Sequence, residues 1–159
     1  MLSYRHSFHA GNFADVLKHI VLIKILEHLC KKDKPFCCID THAGPGEYQL
    51  NSDFALKNKE FENGIGRLWQ QEDLPDGLAS YINVLKHFNT NGQLNCYPGS
   101  PLIIRHFLRN RDRLFLHELH STEIALLNTV IGNDRRIKVA HSDGLKNAVS
   151  LLPPVQHRG

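Results

Sequence analysis

The sequence predicts an open α/β fold built on a parallel sheet, and three observations carry that prediction. Short apolar runs at 36–39, 114–118 and 137–140 alternate with stretches of three- and four-residue apolar spacing, the rhythm of strands and crossover helices. Each run ends at or just before an acid: Asp40, Glu118 and Asp143. After the first acid comes a glycine turn, T-H-A-G-P-G, which lets main-chain N–H groups approach a ligand with no Cβ in the way. Right-handed crossovers then make the strands parallel.

Taken in order, the chain opens with a polar and aromatic stretch holding Tyr4, Arg5, His6, Phe8 and His9. Asn12 is the expected cap of a first helix over 13–32, with Asp15 favourable in its first turn. Val16, Ile20, Ile23 and Leu26 define its apolar face, and Leu17, Val21 and Ile25 widen it, so the helix should be largely buried. Pro35 stops it. The first strand and its turn follow, and then the simple rhythm breaks. A minimal strand–helix–strand unit takes about 30 residues, whereas the second strand begins about 78 residues after the first. Residues 48–97 read as helical rather than strand-like, with one apolar stripe through Phe61, Ile65, Leu68 and Trp69 and another through Leu78, Tyr81, Ile82, Leu85 and Phe88. A helical insert over 50–97 therefore interrupts one domain spanning 1–159. Beyond it, Ser100 as N-cap and Pro101 at N1 open a helix. The second strand, a helix from Ser121 and Thr122 closed by Gly132, the third strand and a last turn through Leu145, Val149 and Leu152 complete the chain.

Composition sets the outer limits. At 159 residues, 42% hydrophobic and 22% charged, this is an ordinary single-domain globular chain. A net charge of +3 permits nucleic-acid binding without arguing for it. The four cysteines lack disulfide or zinc spacing, and adjacent Cys37 and Cys38 point to opposite faces of a strand. Reduced cysteines, and an N-terminus M-L-S-Y-R-H with no apolar segment, suit a cytoplasmic protein with no membrane span.

Around the turn, Asp40, Gly44 and Gly46 form acid-x-x-x-G-x-G, which resembles motif I of class I S-adenosylmethionine-dependent methyltransferases. The dinucleotide fingerprint is only half present, since Gln49 stands where its third glycine belongs. A carboxylate after the second strand is the residue type that accepts from ribose hydroxyls, and an acid after the third can accept from an adenine amino group. Singly, each acid is also what a strand end or a helix cap looks like. Lys18 and His19, beside an apolar face, are by themselves a snorkelling lysine and a satisfied core histidine. Three acids at one edge beside two glycines point to an adenosyl cofactor.

Longer motifs narrow this. S-Y-R-H-S-F-H-A-G-N-F-A-D-V-L-K-H, D-T-H-A-G-P-G, W-Q-Q-E-D-L-P, Y-P-G-S-P-L and L-P-P-V closely resemble the RlmJ family, which methylates an adenine N6 of 23S ribosomal RNA with S-adenosyl-L-methionine. The resemblance runs from Met1 to Gly159. It implies a class I, Rossmann-like methyltransferase sheet, here its first three strands in the order 3-2-1, and a cytoplasmic monomer acting on 23S ribosomal RNA without a metal. It also implies cofactor roles for Lys18 and His19 (methionine end), His42, Gly44, Ser100, Glu118 (ribose), and Asp143 with Gly144 (adenine). Tyr4 is implied to meet the RNA, and with His6 it is the candidate for the base pocket.

One departure stands out: the family's catalytic D-P-P-Y motif is absent from residues 1–159, and Pro153-Pro154 follow Leu152 instead. The expectation is an N-terminal portion of a longer enzyme, with its catalytic acid beyond Gly159, inactive by itself, and with the first strand left at an open sheet edge. The alternative is a non-catalytic nucleotide- or RNA-binding module. A metal site in H-E-L-H at 117–120 is disfavoured, because neighbours on a strand face opposite ways and the helical H-E-x-x-H spacing is missing.

Overall fold

The structure, a computed structural model, describes residues 6–153. In chain order it has α1 (Phe13–Cys30), β1 (Cys37–Asp40), β2 (Glu47–Gln49), α2 (Asp53–Asn58), α3 (Ile65–Leu68), α4 (Asp76–His87), β3 (Cys96–Pro98), α5 (Ser100–Phe107), β4 (Arg113–Glu118), α6 (Ser121–Ile131), β5 (Ile137–His141) and α7 (Gly144–Ala148). Two compact units emerge. One takes the residues up to Ile25 together with Tyr48–Pro98, and the other takes Leu26–Glu47 and the residues from Gly99 on.

The second of these is the sheet unit. Its three strands lie in the order β1-β4-β5, all parallel, with Asp40 opposite Leu116 and Glu118 opposite His141. This is the expected 3-2-1 order, with the middle strand of the chain also central in the sheet. Leu114 and Leu116 on β4 are fully buried, and so is Leu127 on α6. α5 leads into β4, while α6 joins β4 to β5, and each packs on the strands it serves. Among the described residues β1 has a neighbour on one side only. At the strand starts the buried Asp112 accepts from the main-chain N–H of Phe36 (2.9 Å) and of Arg109 (2.8 Å), and from Arg109 Nε (2.8 Å). Burial opposes its ionisation, but these donors outweigh that and hold the carboxyl below its usual range. The result ties the entry of β1 to the entry of β4.

The other unit differs from the sequence reading in two ways. The stretch read as wholly helical is bounded by strands, because β2 and β3 pair as a two-stranded sheet, extended by Leu50 N donating to Asn95 O (2.8 Å). Three-residue strands are too short to show alternation, so nothing in the periodicity reveals them. Between them the helical expectation holds through α2, α3 and α4, whose core is Ile65, Tyr81, Ile82 and Leu85. Buried Asn89 fixes the return, giving Nδ2 to Leu85 O and Cys96 O and accepting from Asn95 N and Cys96 N at Oδ1.

α1 is the second difference. Asn12 does cap it, accepting at Oδ1 from Ala14 N and Asp15 N, both at 3.0 Å. Yet Leu17, Val21 and Ile25 are 66%, 51% and 53% exposed, while the buried side carries Asp15, Val16, His19 and Ile23. Apolar residues ring this helix, so periodicity alone does not choose a face. Packing chose the face that holds an acid and a histidine.

Candidate functional site

In a parallel sheet the carboxyl ends of the strands share one edge, and there the sheet unit gathers six of the eight residues assigned to a cofactor. Asp40 ends β1. Its Oδ1 accepts from His42 N (3.1 Å), and its Oδ2 accepts from Ser100 Oγ at 2.6 Å. Ser100 is therefore not the N-cap expected of it. Gly99 takes the cap position, Ser100 is the first helical residue, and its hydroxyl is directed at the acid of β1. In the turn, Gly44 (φ +64°) and Gly46 (φ +88°) adopt left-handed conformations that side chains disfavour.

β4 stitches this edge together. Glu118 accepts from Gly44 N at Oε2 (2.8 Å) and from His120 N at Oε1 (2.7 Å). Ala43 N donates to His117 O (3.0 Å), and Ser142 N donates to Glu118 O (3.1 Å). After β5, Asp143 caps α7, accepting at Oδ1 from Leu145 N (3.1 Å) and Lys146 N (3.2 Å). The main-chain bond from Lys146 draws its pKa below the ordinary carboxylate range. A Cβ on Gly144 would stand 2.3 Å from Thr41 O, so only glycine lets α7 start this close to the first turn. His42 is exposed, with Nδ1 2.9 Å from Thr41 Oγ1.

Both acids keep acceptor capacity. An ionised carboxylate offers about four lone-pair sites, and Glu118 uses two on main-chain donors. Among the described residues Asp143 Oδ2 faces only the exposed Lys146 Nζ, at 3.6 Å. A ribose diol and an amino group are the donor types such oxygens still accommodate, so this edge fits an adenosyl group.

Lys18, His19 and His6 lie in the other unit, around residues to which the sequence reading gave no site role. The carboxylate of Asp15, 1% exposed, accepts from His6 Nε2 (2.7 Å), Gly11 N (3.0 Å) and Lys18 Nζ (2.7 Å). Burial pushes its pKa up, but the bond and charge of His6, with Lys18, win and hold it well below the usual range. His19 is 3% exposed, with Nδ1 2.8 Å from Tyr97 Oη, which lies 3.2 Å from Tyr81 Oη. Burial lowers the His19 pKa to about 4 against the pull of Asp15, so the ring is neutral at pH 7. Burial likewise raises both tyrosines. Lys18 and His19, adjacent in sequence, thus serve different partners. The Asp15–Lys18 spacing of three was a visible signal for one tie; the Tyr81–Tyr97–His19 chain had none. Tyr4 lies outside the described residues.

The residues of H-E-L-H have separate tasks. His117 Nδ1 meets Ser142 Oγ at 2.9 Å, leaving Nε2 buried without a partner among the described residues. His120 Nδ1 accepts from Thr122 N (3.3 Å) and so caps α6, which begins at Ser121 as the sequence predicts. Glu118 is turned to the main chain. Among the described residues no group of three His, Cys, Asp or Glu is placed to hold a metal, and no helix is long and apolar enough to cross a membrane.

A family model described as "Ribosomal RNA large subunit methyltransferase D, RlmJ" matches residues 33–159. Ribosomal RNA large subunit methyltransferase J of Escherichia coli (strain K12) is 56% identical over 159 residues, which is 100% of this chain and 57% of that protein. The enzyme of the same name from Haemophilus influenzae is 48% identical over 160 residues, with the same coverage. The chain thus spans 57% of the length of these relatives. Among solved structures, protein LPL1258 from Legionella pneumophila superposes with a TM-score of 0.85 at 42% identity, over 93% of this chain and 54% of that one.

Proposed function

The chain belongs to the RlmJ family of ribosomal RNA large subunit methyltransferases, and from that premise we propose that its protein uses S-adenosyl-L-methionine to methylate N6 of an adenine in 23S ribosomal RNA. The observation that carries the reading is the tie between Gly44 N and Glu118 Oε2. It sets the motif I turn against the ribose-type acid at the edge where such sheets bind nucleosides. S-adenosyl-L-methionine, when bound, supplies an activated methyl group. Glu118 is assigned the ribose hydroxyls, Asp143 and the N–H of Gly144 the adenine, and the His42–Gly44 turn with Ser100 the approach beside Asp40. Lys18 and His19 are assigned the methionine end, Lys18 as a cation and His19 as a neutral ring. Tyr4 and His6 are assigned the flipped-out target base.

Methyl transfer makes an N–C bond at the adenine amine, breaks the S–C bond of the cofactor and releases one proton from N6. The acid and the neighbouring carbonyl of a D-P-P-Y segment are the groups we assign to hold that amine and take up its proton. Residues 1–159 contain no such segment, so by this reading they do not transfer a methyl group alone. The reading treats the protein as a cytoplasmic monomer, with residues 50–97 as an insert within one methyltransferase domain. The test is to express the full reading frame and residues 1–159 separately and assay each with unmodified 23S RNA and labelled S-adenosyl-L-methionine. Label should appear as N6-methyladenine with the full protein only. No label from the full protein would refute the reading; equal rates from both would refute the part played by D-P-P-Y.

A further inference from the structure

The starts of β1, β4 and β5 mark the sheet edge opposite the candidate cofactor site, and the chain's positive charge collects there. Segments 31–36, 105–113 and 130–136 hold nine of the 19 Lys and Arg but only three of the 16 Asp and Glu, a net +6. The whole chain carries +3. Everything outside these segments therefore has 10 basic and 13 acidic residues, a net −3. A modest overall charge conceals a strongly basic sheet edge.

Arginines also hold the three segments together. Arg109 donates to Lys32 O (2.8 Å) and Lys34 O (3.1 Å), joining the segment before β4 to the one before β1. Arg105 donates to Val130 O (3.2 Å), and Arg136 donates to Leu108 O, joining the segment before β4 to the one before β5. Two of the three acids are consumed within these ties: Asp112 by Arg109, and Asp134 by Arg136 (2.6 Å) and Arg105 (3.4 Å). Side-chain hydrogen bonds from Arg136 hold the Asp134 pKa down at about 2, so this tie is an ion pair throughout the physiological range. Lys31, Arg111 and Arg135 are exposed around it. A hollow of about 550 Å³ opens among Arg105, Asn110, Asn133, Asp134, Arg135 and Arg136.

We propose that this arginine-rich edge of the sheet is a second RNA contact, a docking surface for the sugar–phosphate backbone of the substrate at the end of the strands opposite the candidate cofactor site. The tied guanidinium groups hold this edge together as one basic surface, and the exposed Lys31, Arg111 and Arg135 around it are the cations placed to meet phosphate. Along β4, Glu118 lies five residues from Arg113, roughly 17 Å at about 3.3 Å per residue. That exceeds the screening length of about 8 Å at physiological ionic strength, so contacts at this edge act on RNA bound there and not on the cofactor edge. The inference rests on the reading of the protein as an RNA methyltransferase, and it adds a site that the methyl-transfer chemistry does not use.

The test uses the protein expressed from its full reading frame, with 23S RNA. Lys31→Gln/Arg111→Gln/Arg135→Gln removes three exposed cations. Each phosphate contact contributes about 0.7–0.9 to the slope of log K against log salt, so the slope should fall by about two and affinity at physiological salt by tenfold or more. S-adenosyl-L-methionine affinity and melting temperature should be unchanged. Lys24→Gln/Arg67→Gln/Lys86→Gln makes the same change in net charge elsewhere and should keep the parent slope. A parent slope in the first triple, or an equal loss in the second, overturns the proposal. A protein that shows the expected slopes yet transfers no methyl keeps the proposal and loses the reading beneath it.

Discussion

At the sheet edge, Glu118 and Asp143 spend their oxygens on main-chain N–H groups: Gly44, His120, Leu145 and Lys146. In the other unit, Asp15, His19, Tyr81 and Tyr97 are chiefly tied side chain to side chain, and all four are buried. The difference has consequences for substitution. Main-chain donors remain when an edge acid is replaced, so the turn loses a brace but no buried charge is left alone. In the buried network side chains compensate one another for desolvation, so removing one exposes part of the cost of burying the rest.

The largest effect should come from Asp15→Ala. It strips the acceptor from His6, Gly11 N and Lys18 at once, and about 3 kcal/mol of stability should be lost in denaturant unfolding. Asp15→Asn keeps one acceptor oxygen and should lose less. Equal, small losses in both would show that the network does not depend on the charge.

A pH titration sharpens the same contrast. The folded pKa of His19 is lowered to about 4, beneath an unfolded value near 6.5. Its contribution is thus fully present above pH 6.5 and disappears as pH falls toward 4, amounting to about 3 kcal/mol. Unfolding free energies measured at pH 7 and pH 4 should differ by that much more in the parent protein than in His19→Gln. Identical pH dependence in the two would remove His19 from the buried network.

Gly144→Ala probes the other region. The added methyl would meet Thr41 O at 2.3 Å, so the start of α7 must move, at about 1–3 kcal/mol. Gly132, with nothing within 4 Å of its Cβ position but φ at +59°, gives the control. There Ala should cost only the strain of a backbone conformation that is essentially confined to glycine, about 1–3 kcal/mol. Calorimetric melting of the two variants separates crowding from strain.

The two regions also differ in how far the sequence reveals them. Strand-end acids and a glycine turn are written in adjacent letters, and the parallel 3-2-1 sheet follows from their repetition. Ser100 shows the boundary of such reading: its place before Pro101 suggests a cap, but its hydroxyl serves Asp40, 60 residues away. The His19–Tyr97 bond joins residues 78 apart, and two three-residue strands are too short to declare themselves. Likewise α1 is apolar on every side, so only packing decided that Leu17 and Val21 face outward. Local chemistry is legible; pairings made by packing are not.

Calorimetry of S-adenosyl-L-methionine binding to the full-reading-frame protein and its Glu118→Ala variant puts the sheet edge to the most direct trial. A charged hydrogen bond to a ribose hydroxyl is worth roughly 1.5–3 kcal/mol, so the variant should bind about tenfold more weakly or worse, with its melting temperature little changed. An unchanged dissociation constant in a folded Glu118→Ala protein would contradict the assignment of the cofactor to this edge.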